Sequence, residues 1–148
     1  MYYLLGGSSK KNQEVASSWL LNHPVESKKI MDLLSTIIVE YLCAQVDAGA
    51  DLIQVFEAMG EYISESDFHK WALPTLKDIA TNFKKRHPDV PLLVFPRGAC
   101  YAIASLQAAG YDIVTIDTKT DRVTSRHTLV EKAKEDIPES ILKRDWKV

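Results

Sequence analysis

The residues best suited to chemistry sit where short apolar runs stop: Tyr2 or Tyr3 with Gly6 and Gly7, then Glu57-Ala58-Met59, then Pro96-Arg97-Gly98, and Asp117-Thr118. Two acids, one guanidinium and a phenol brought to one place suit a carboxylated ligand, because Arg97 can hold a carboxylate through paired hydrogen bonds. Convergence requires the runs to be parallel strands, whose carboxyl ends form the usual ligand rim of an α/β sheet. A plainer reading stays open beside this one. Glu57 and Asp117 cap loops and Arg97 pairs with one of them, as structural ion-pair networks often do.

Other constellations fall short. Gly6-Gly7-Ser8-Ser9-Lys10-Lys11 has glycine and lysine without the spacing of a phosphate loop, and the dinucleotide fingerprint is absent. His23, His69, His87 and His127 lie far apart in sequence, without zinc-ligand spacing, and are expected on exposed helix or loop surfaces. Cys43 falls beside an apolar stripe and is expected to be an inert core thiol. Cys100 sits near a strand end and a helix start, where a thiolate is favoured, but has no histidine partner in sequence. Neither a metal nor a cofactor is expected.

The elements that must position these residues are read from pattern. Met1–Leu5 is a short apolar run before Gly and Ser, which reads as a strand and a loop. Lys10–Leu21 is a modest helix that must stop near His23, because Pro24 disfavours helix in the residue before it. Ile30, Leu33, Leu34, Ile37, Ile38, Tyr41, Leu42, Gln45 and Val46 recur at helical spacing and predict one buried face, closed by Gly49. Asp51–Phe56, Leu92–Phe95 and Asp112–Ile116 read as strands covered on both faces. Between them, Ser64-Glu65-Ser66-Asp67 is a capping box, and Pro74 either kinks its helix or starts a new one. Lys84-Lys85-Arg86 suits a helix C-terminus, and Ala99–Ala109 is a short helix closed by Gly110. The charged tail from Asp121 reads as helical. Alternation of this kind predicts an α/β domain with a parallel sheet.

Composition agrees. The 148 residues suit a single domain, 1–148, and a formal net charge of −2 argues against a nucleic-acid or membrane-surface partner. No apolar run reaches the roughly 18 residues of a membrane span, and the start lacks the basic flank of a signal peptide. A cytoplasmic protein is expected.

At these positions the sequence resembles the uroporphyrinogen decarboxylase family. Tyr3-Leu4-Leu5-Gly6-Gly7-Ser8-Ser9, followed by Trp19-Leu20, is similar to its Tyr-x-x-Glu-Gly-Gly-Gly-Ser segment and downstream Trp-Leu. Tyr41-Leu42, Gln45–Ala50 and Gln54-Val55-Phe56-Glu57 resemble its Tyr-Leu-x-x-Gln-x-x-Ala-Gly-Ala and Gln-x-Phe-Asp/Glu-Ser. Ala72-Leu73-Pro74 and Ala109–Val114 with Asp117 continue the match. The resemblance implies part of a (β/α)₈ barrel, a fold of about 250 residues, so this chain would supply about half of one, with about four strands and covering helices. It also implies cofactor-free removal of acetate carboxyls from a porphyrinogen, giving coproporphyrinogen, with a homodimeric habit.

The family's catalytic tyrosine maps onto Tyr3 without a gap, or onto Tyr2 with a one-residue gap. Gly7, Glu57, Ala58, Arg97, Gly98 and Asp117 map onto or beside its ligand-binding rim. Ala58 stands where the family has serine, and Thr118 where it has tryptophan. The family's N-terminal arginines, its pyrrole-gripping aspartate and its C-terminal histidine have no counterpart. A catalytically impaired homologue that still takes a tetrapyrrole or a partner is therefore expected. The other expectations are a decarboxylase that works once completed by another chain, and a purely structural protein. An open barrel exposes sheet edges and an apolar face, so a homodimer or higher oligomer is expected.

Overall fold

The computed structural model describes residues 1–7, 13–121 and 123. The chain forms two compact units, Met1–Asp117 and Thr118–Val148. The expected tail helix falls mostly outside the described residues. In the second unit the Val123 amide donates to Asp121 Oδ1 at 3.0 Å.

The first unit contains α1 (Tyr2–Gly6), α2 (Gln13–Asn22), α3 (Pro24–Asp47), β1 (Ile53–Glu57) and α4 (Glu65–Asp67). A π-helical turn, Phe68–Ala72, leads into α5 (Leu73–Arg86); then come β2 (Leu92–Pro96), a 3₁₀ turn (Cys100–Ala102), α6 (Ile103–Ala108) and β3 (Ile113–Val114). The strands are parallel and neighbour one another in the order β1-β2-β3. Val55 is in register with Val94, and Val94 with Val114. Sequential parallel strands joined through helices are the repeating unit of a (β/α) barrel, as the pattern predicts.

Local chemistry sets most boundaries. Pro24 occupies the first turn of α3, where its missing N–H costs nothing, and Gly49 follows the helix with φ of 104°. Ser64 Oγ accepts from the Asp67 amide at 3.1 Å, closing half of the expected box; the Asp67 carboxylate takes the Ser64 hydroxyl at 2.8 Å instead of the main-chain amide. Pro74 is absorbed by the π turn ahead of it, so α5 starts afresh there. Lys84, Lys85 and Arg86 close α5, and Lys84 also donates to Val90 O at 2.8 Å and pairs with Asp112.

The core lies between one face of the sheet and the helices: Phe68, Ile79, Phe83, Leu92, Val94 and Leu106 are all buried. Three expectations need correction. Met1–Leu5 is not a strand but part of helix α1, with Leu4 and Leu5 amides bonded to Met1 O. A five-residue apolar run carries no period that separates the two, and docking of Tyr2 with Ala16, Leu20 and Met59 in a small second core selects helix. The described strands therefore number three.

Among the described residues, the strands are buried against the helices on one face and only partly covered on the other. Phe56 is 69% exposed and Ile113 is 49% exposed, while Ile53, Val55, Leu92 and Val94 face the helices. Finally, α3 buries Ser27, Ser35, Val39, Leu42 and Cys43, and leaves Leu33, Ile37 and Tyr41 outside. Its apolar residues span more than one face, and contact with α5 and β1 decides which side turns in.

Candidate functional site

Each strand delivers its acid or base at its carboxyl end, and the loops lock there. The Arg97 amide donates to Glu57 O at 2.9 Å, which continues the β1–β2 ladder past the strands. The Gly98 amide donates to Asp117 Oδ2 at 2.9 Å, tying the loop after β2 to the segment after β3. Gly98 has φ of 76°, and its α-carbon lies against Glu61 so closely that a Cβ would come within 2.4 Å of the Glu61 Cβ. Gly60 is equally tight: a Cβ there would sit 2.7 Å from Arg97 O. Glycines at these two contacts let the loops after β1 and β2 touch through their backbones.

Glu57 points its Oε1 at the Met59 amide, 2.9 Å away, and its second oxygen is buried beside Gly60. Burial raises its carboxyl above the usual range, against the opposing pull of the Met59 and Gly60 amides. Arg97 leaves its guanidinium more than half exposed and reaches Glu61 Oε1 at 3.6 Å. Thus Glu57 and Asp117 do cap loops, and the partner of Arg97 is a third acid, Glu61. The spacing gave Glu61 no special standing, since its role depends on the contact between two loops.

The tyrosines arrive from α1, not from a strand end. Tyr2 is buried with its hydroxyl 3.1 Å from Ser17 Oγ, and burial raises its pKa; Tyr3 is 55% exposed. Tyr2, Tyr3, Glu57 and Ala58 nevertheless share a cavity of about 230 Å³ with Trp71 and Ile38 among its other walls. The structure so gathers the candidates in two neighbouring groups, Tyr2, Tyr3, Glu57 and Ala58 around the cavity, and Arg97, Gly98 and Asp117 on the adjoining loops. Gly7 stands apart, with nothing within 4 Å of where a Cβ would be.

Beside the rim, the sequence reading missed Tyr101 and misplaced His69. Tyr101 has a buried hydroxyl, with its pKa pushed up to about 12 by burial and then by the charge of Glu57. His69 is half-buried, not exposed: Nδ1 lies 2.8 Å from Glu65 O and Nε2 3.4 Å from Ser105 Oγ. Its place on a π turn carries no sequence signal. His127 lies outside the described residues. Cys43 is buried as expected and Cys100 is exposed.

Residues 1–136 match the family model described as uroporphyrinogen decarboxylase. The chain belongs to the uroporphyrinogen decarboxylase family. Its relatives include the uroporphyrinogen decarboxylase of Salinibacter ruber, 39% identical over 133 residues, covering 90% of this chain and 38% of that protein. Those of Dictyostelium discoideum and Schizosaccharomyces pombe are 32% and 37% identical, covering 89% and 79% of this chain. The chain spans 34–38% of the length of these three relatives. Its parallel sheet and helices are a partial barrel of this family. No helix among the described residues is long and apolar enough to cross a membrane.

Proposed function

We propose that this chain is a cytoplasmic, uroporphyrinogen decarboxylase-like protein of porphyrin synthesis that binds a porphyrinogen at its strand-end rim and, alone, decarboxylates it poorly. The family match over residues 1–136 carries this reading. Decarboxylation of acetate groups needs a cation to hold the carboxylates and an acid to protonate the carbon as carbon dioxide leaves. Arg97 supplies an exposed guanidinium at the rim, 3.6 Å from Glu61 Oε1. Tyr3, or Tyr2, is the phenol that the family resemblance assigns to catalysis. Gly7, Gly98 and Asp117 shape the rim on the same resemblance, without a cofactor. Ala58 removes the hydroxyl that the family places after its Phe-Asp/Glu pair, which argues for impaired turnover.

A second reading has its own support. The chain retains Glu57, Arg97 and Asp117 at one rim, which supports reading it as a decarboxylase that works when another chain completes the barrel. An exposed apolar stripe on α3 supports a homodimer or higher oligomer.

Anaerobic titration with uroporphyrinogen and coproporphyrinogen, followed by carbon dioxide release, tests the reading. Saturable binding with little release, weakened about tenfold by Arg97→Ala, is the expected result. Full turnover by the chain alone overturns the impairment. Absence of binding overturns the ligand assignment and leaves a structural or interaction protein.

A further inference from the structure

Of the acids at the strand-end rim, Glu57 and Asp117 each give an oxygen to a main-chain amide: Glu57 Oε1 accepts from Met59 and Asp117 Oδ2 from Gly98, both at 2.9 Å. Glu61 turns its carboxylate to a side chain instead, with Oε1 3.6 Å from a guanidinium nitrogen of Arg97. The two partners are held very differently. The Glu61 main chain is pressed against Gly98, where its nitrogen and α-carbon both lie 2.9 Å from the position a Cβ would take. The next amide, of Tyr62, bonds back to Met59 O at 2.9 Å and fixes the turn. The Glu61 side chain is 22% exposed, against 57% for Arg97. The loop therefore fixes the glutamate, and the guanidinium on its long stem is the part that can move.

At 3.6 Å the contact is longer than the roughly 2.7–3.2 Å of an N–H···O bond, so charge holds the guanidinium there rather than a paired fork. An exposed pair of this kind is weak, whereas a carboxylate that meets two guanidinium N–H groups side by side is held by both charge and geometry.

We propose that Glu61 is a specificity-determining residue of the rim: its carboxylate occupies Arg97 in the ligand-free protein, and a ligand must present a carboxylate that displaces it. A well-aligned carboxylate exchanges one long contact for two short ones. A neutral group, or an anion that cannot align, gains nothing over the glutamate already in place, so the internal competitor filters what the rim retains. The inference deepens the reading of a porphyrinogen bound at the rim through Arg97, and rests on it.

The test measures anaerobic binding of uroporphyrinogen to the parent, Glu61→Gln, Arg97→Ala and the double variant. Mellitate, a benzene ring with a carboxylate on every carbon, serves as a second probe that lacks any pyrrole. Glu61→Gln keeps the length and shape of the side chain, so circular dichroism and melting should match the parent. With the competing charge gone, it should bind uroporphyrinogen about threefold to fivefold more tightly. That gain should vanish in the Arg97→Ala background, because Glu61 acts through the guanidinium. A glutamate that merely supports the loop predicts the opposite sign, a loss of binding.

Unchanged or weaker binding of uroporphyrinogen by Glu61→Gln overturns the proposal. So does a gain that persists in full without Arg97, since Glu61 would then act by plain repulsion of anions. If uroporphyrinogen binds none of the proteins while mellitate binds and tightens with Glu61→Gln, the porphyrinogen reading falls and the competition at Arg97 stands. Absence of binding by both probes to every variant overturns both.

Discussion

A methyl group at Gly98 would lie 2.4 Å from Glu61 Cβ and 2.9 Å from Glu61 N, in a backbone conformation with φ of 76°. Gly98→Ala therefore meets a clash with main chain as well as left-handed strain, and should lose about 3 kcal/mol in urea unfolding. Gly7 has φ of 66° but open space around it, so Gly7→Ala should lose only the strain, about 1 kcal/mol. Equal losses would show that the contact between the loops after β1 and β2 is not what demands Gly98. Glu57 offers a test by pH. Burial raises its folded pKa above the ordinary 4.5, so the folded chain holds this proton more tightly than the unfolded one. Its contribution then falls as pH rises from the unfolded value through the raised folded value. Asp112 opposes it: partial burial pushes its carboxyl up, but the bonds from Lys84 and the Leu92 amide outweigh that and hold it below the usual range. Its share of stability is present above the unfolded pKa and is lost as pH falls through the lowered one. Glu57→Gln keeps an oxygen for the Met59 amide and removes the charge. Melting temperatures followed upward from pH 4.5 should therefore fall less steeply in Glu57→Gln than in the parent; parallel curves would remove Glu57 from the account.

Helix α4 and the π turn start at the Ser64 cap, whose side-chain oxygen accepts the first-turn Asp67 amide. Ser64→Ala should cost about 1 kcal/mol, read by chemical denaturation, with Ser64→Asp restoring most of it. A loss as large as that of Phe83→Ala, about 3–5 kcal/mol for a fully buried ring, would mean that the cap holds more than its own turn. The same elements show what could be read in advance. Pro24, Gly49, Ser64 and the Lys84-Lys85-Arg86 run act through their own backbone or charge, so the ends they set were legible. The phase of α3 was not, because Leu33, Ile37 and Tyr41 are as apolar as the residues that face α5, and only the neighbour chooses between them. Helix α1 was misread for a related reason: Tyr2 folds into a small core with Leu20 and Met59, partners that lie far along the chain. At the rim, the acids and Arg97 were legible as types at strand ends. Their pairing was not, since Glu61 meets Arg97 only through the close approach of Gly60 and Gly98.

The stripe of Leu33, Ile37 and Tyr41 makes the claim about the whole molecule. The three residues lie one turn apart on one line of a 24-residue helix, and are 61%, 54% and 67% exposed. The helix cannot roll them inward, because Val39, Leu42 and Cys43 already hold its other side in the core. Burying such a line against its copy removes apolar surface from water at both chains at once, and the twofold arrangement needs no second complementary patch. A net charge of −2 per chain adds little repulsion. Light scattering should therefore return twice the chain mass of 16.7 kDa at micromolar concentrations. Ile37→Glu places a charge at the centre of the stripe and should return the protein to the single-chain mass, with its circular dichroism and melting curve nearly unchanged, because residue 37 contributes little to the core. A single-chain mass for the parent at every concentration would refute the dimer. A dimer that survives Ile37→Glu would move the interface away from α3, toward the partly covered face of the sheet that carries Phe56 and Ile113.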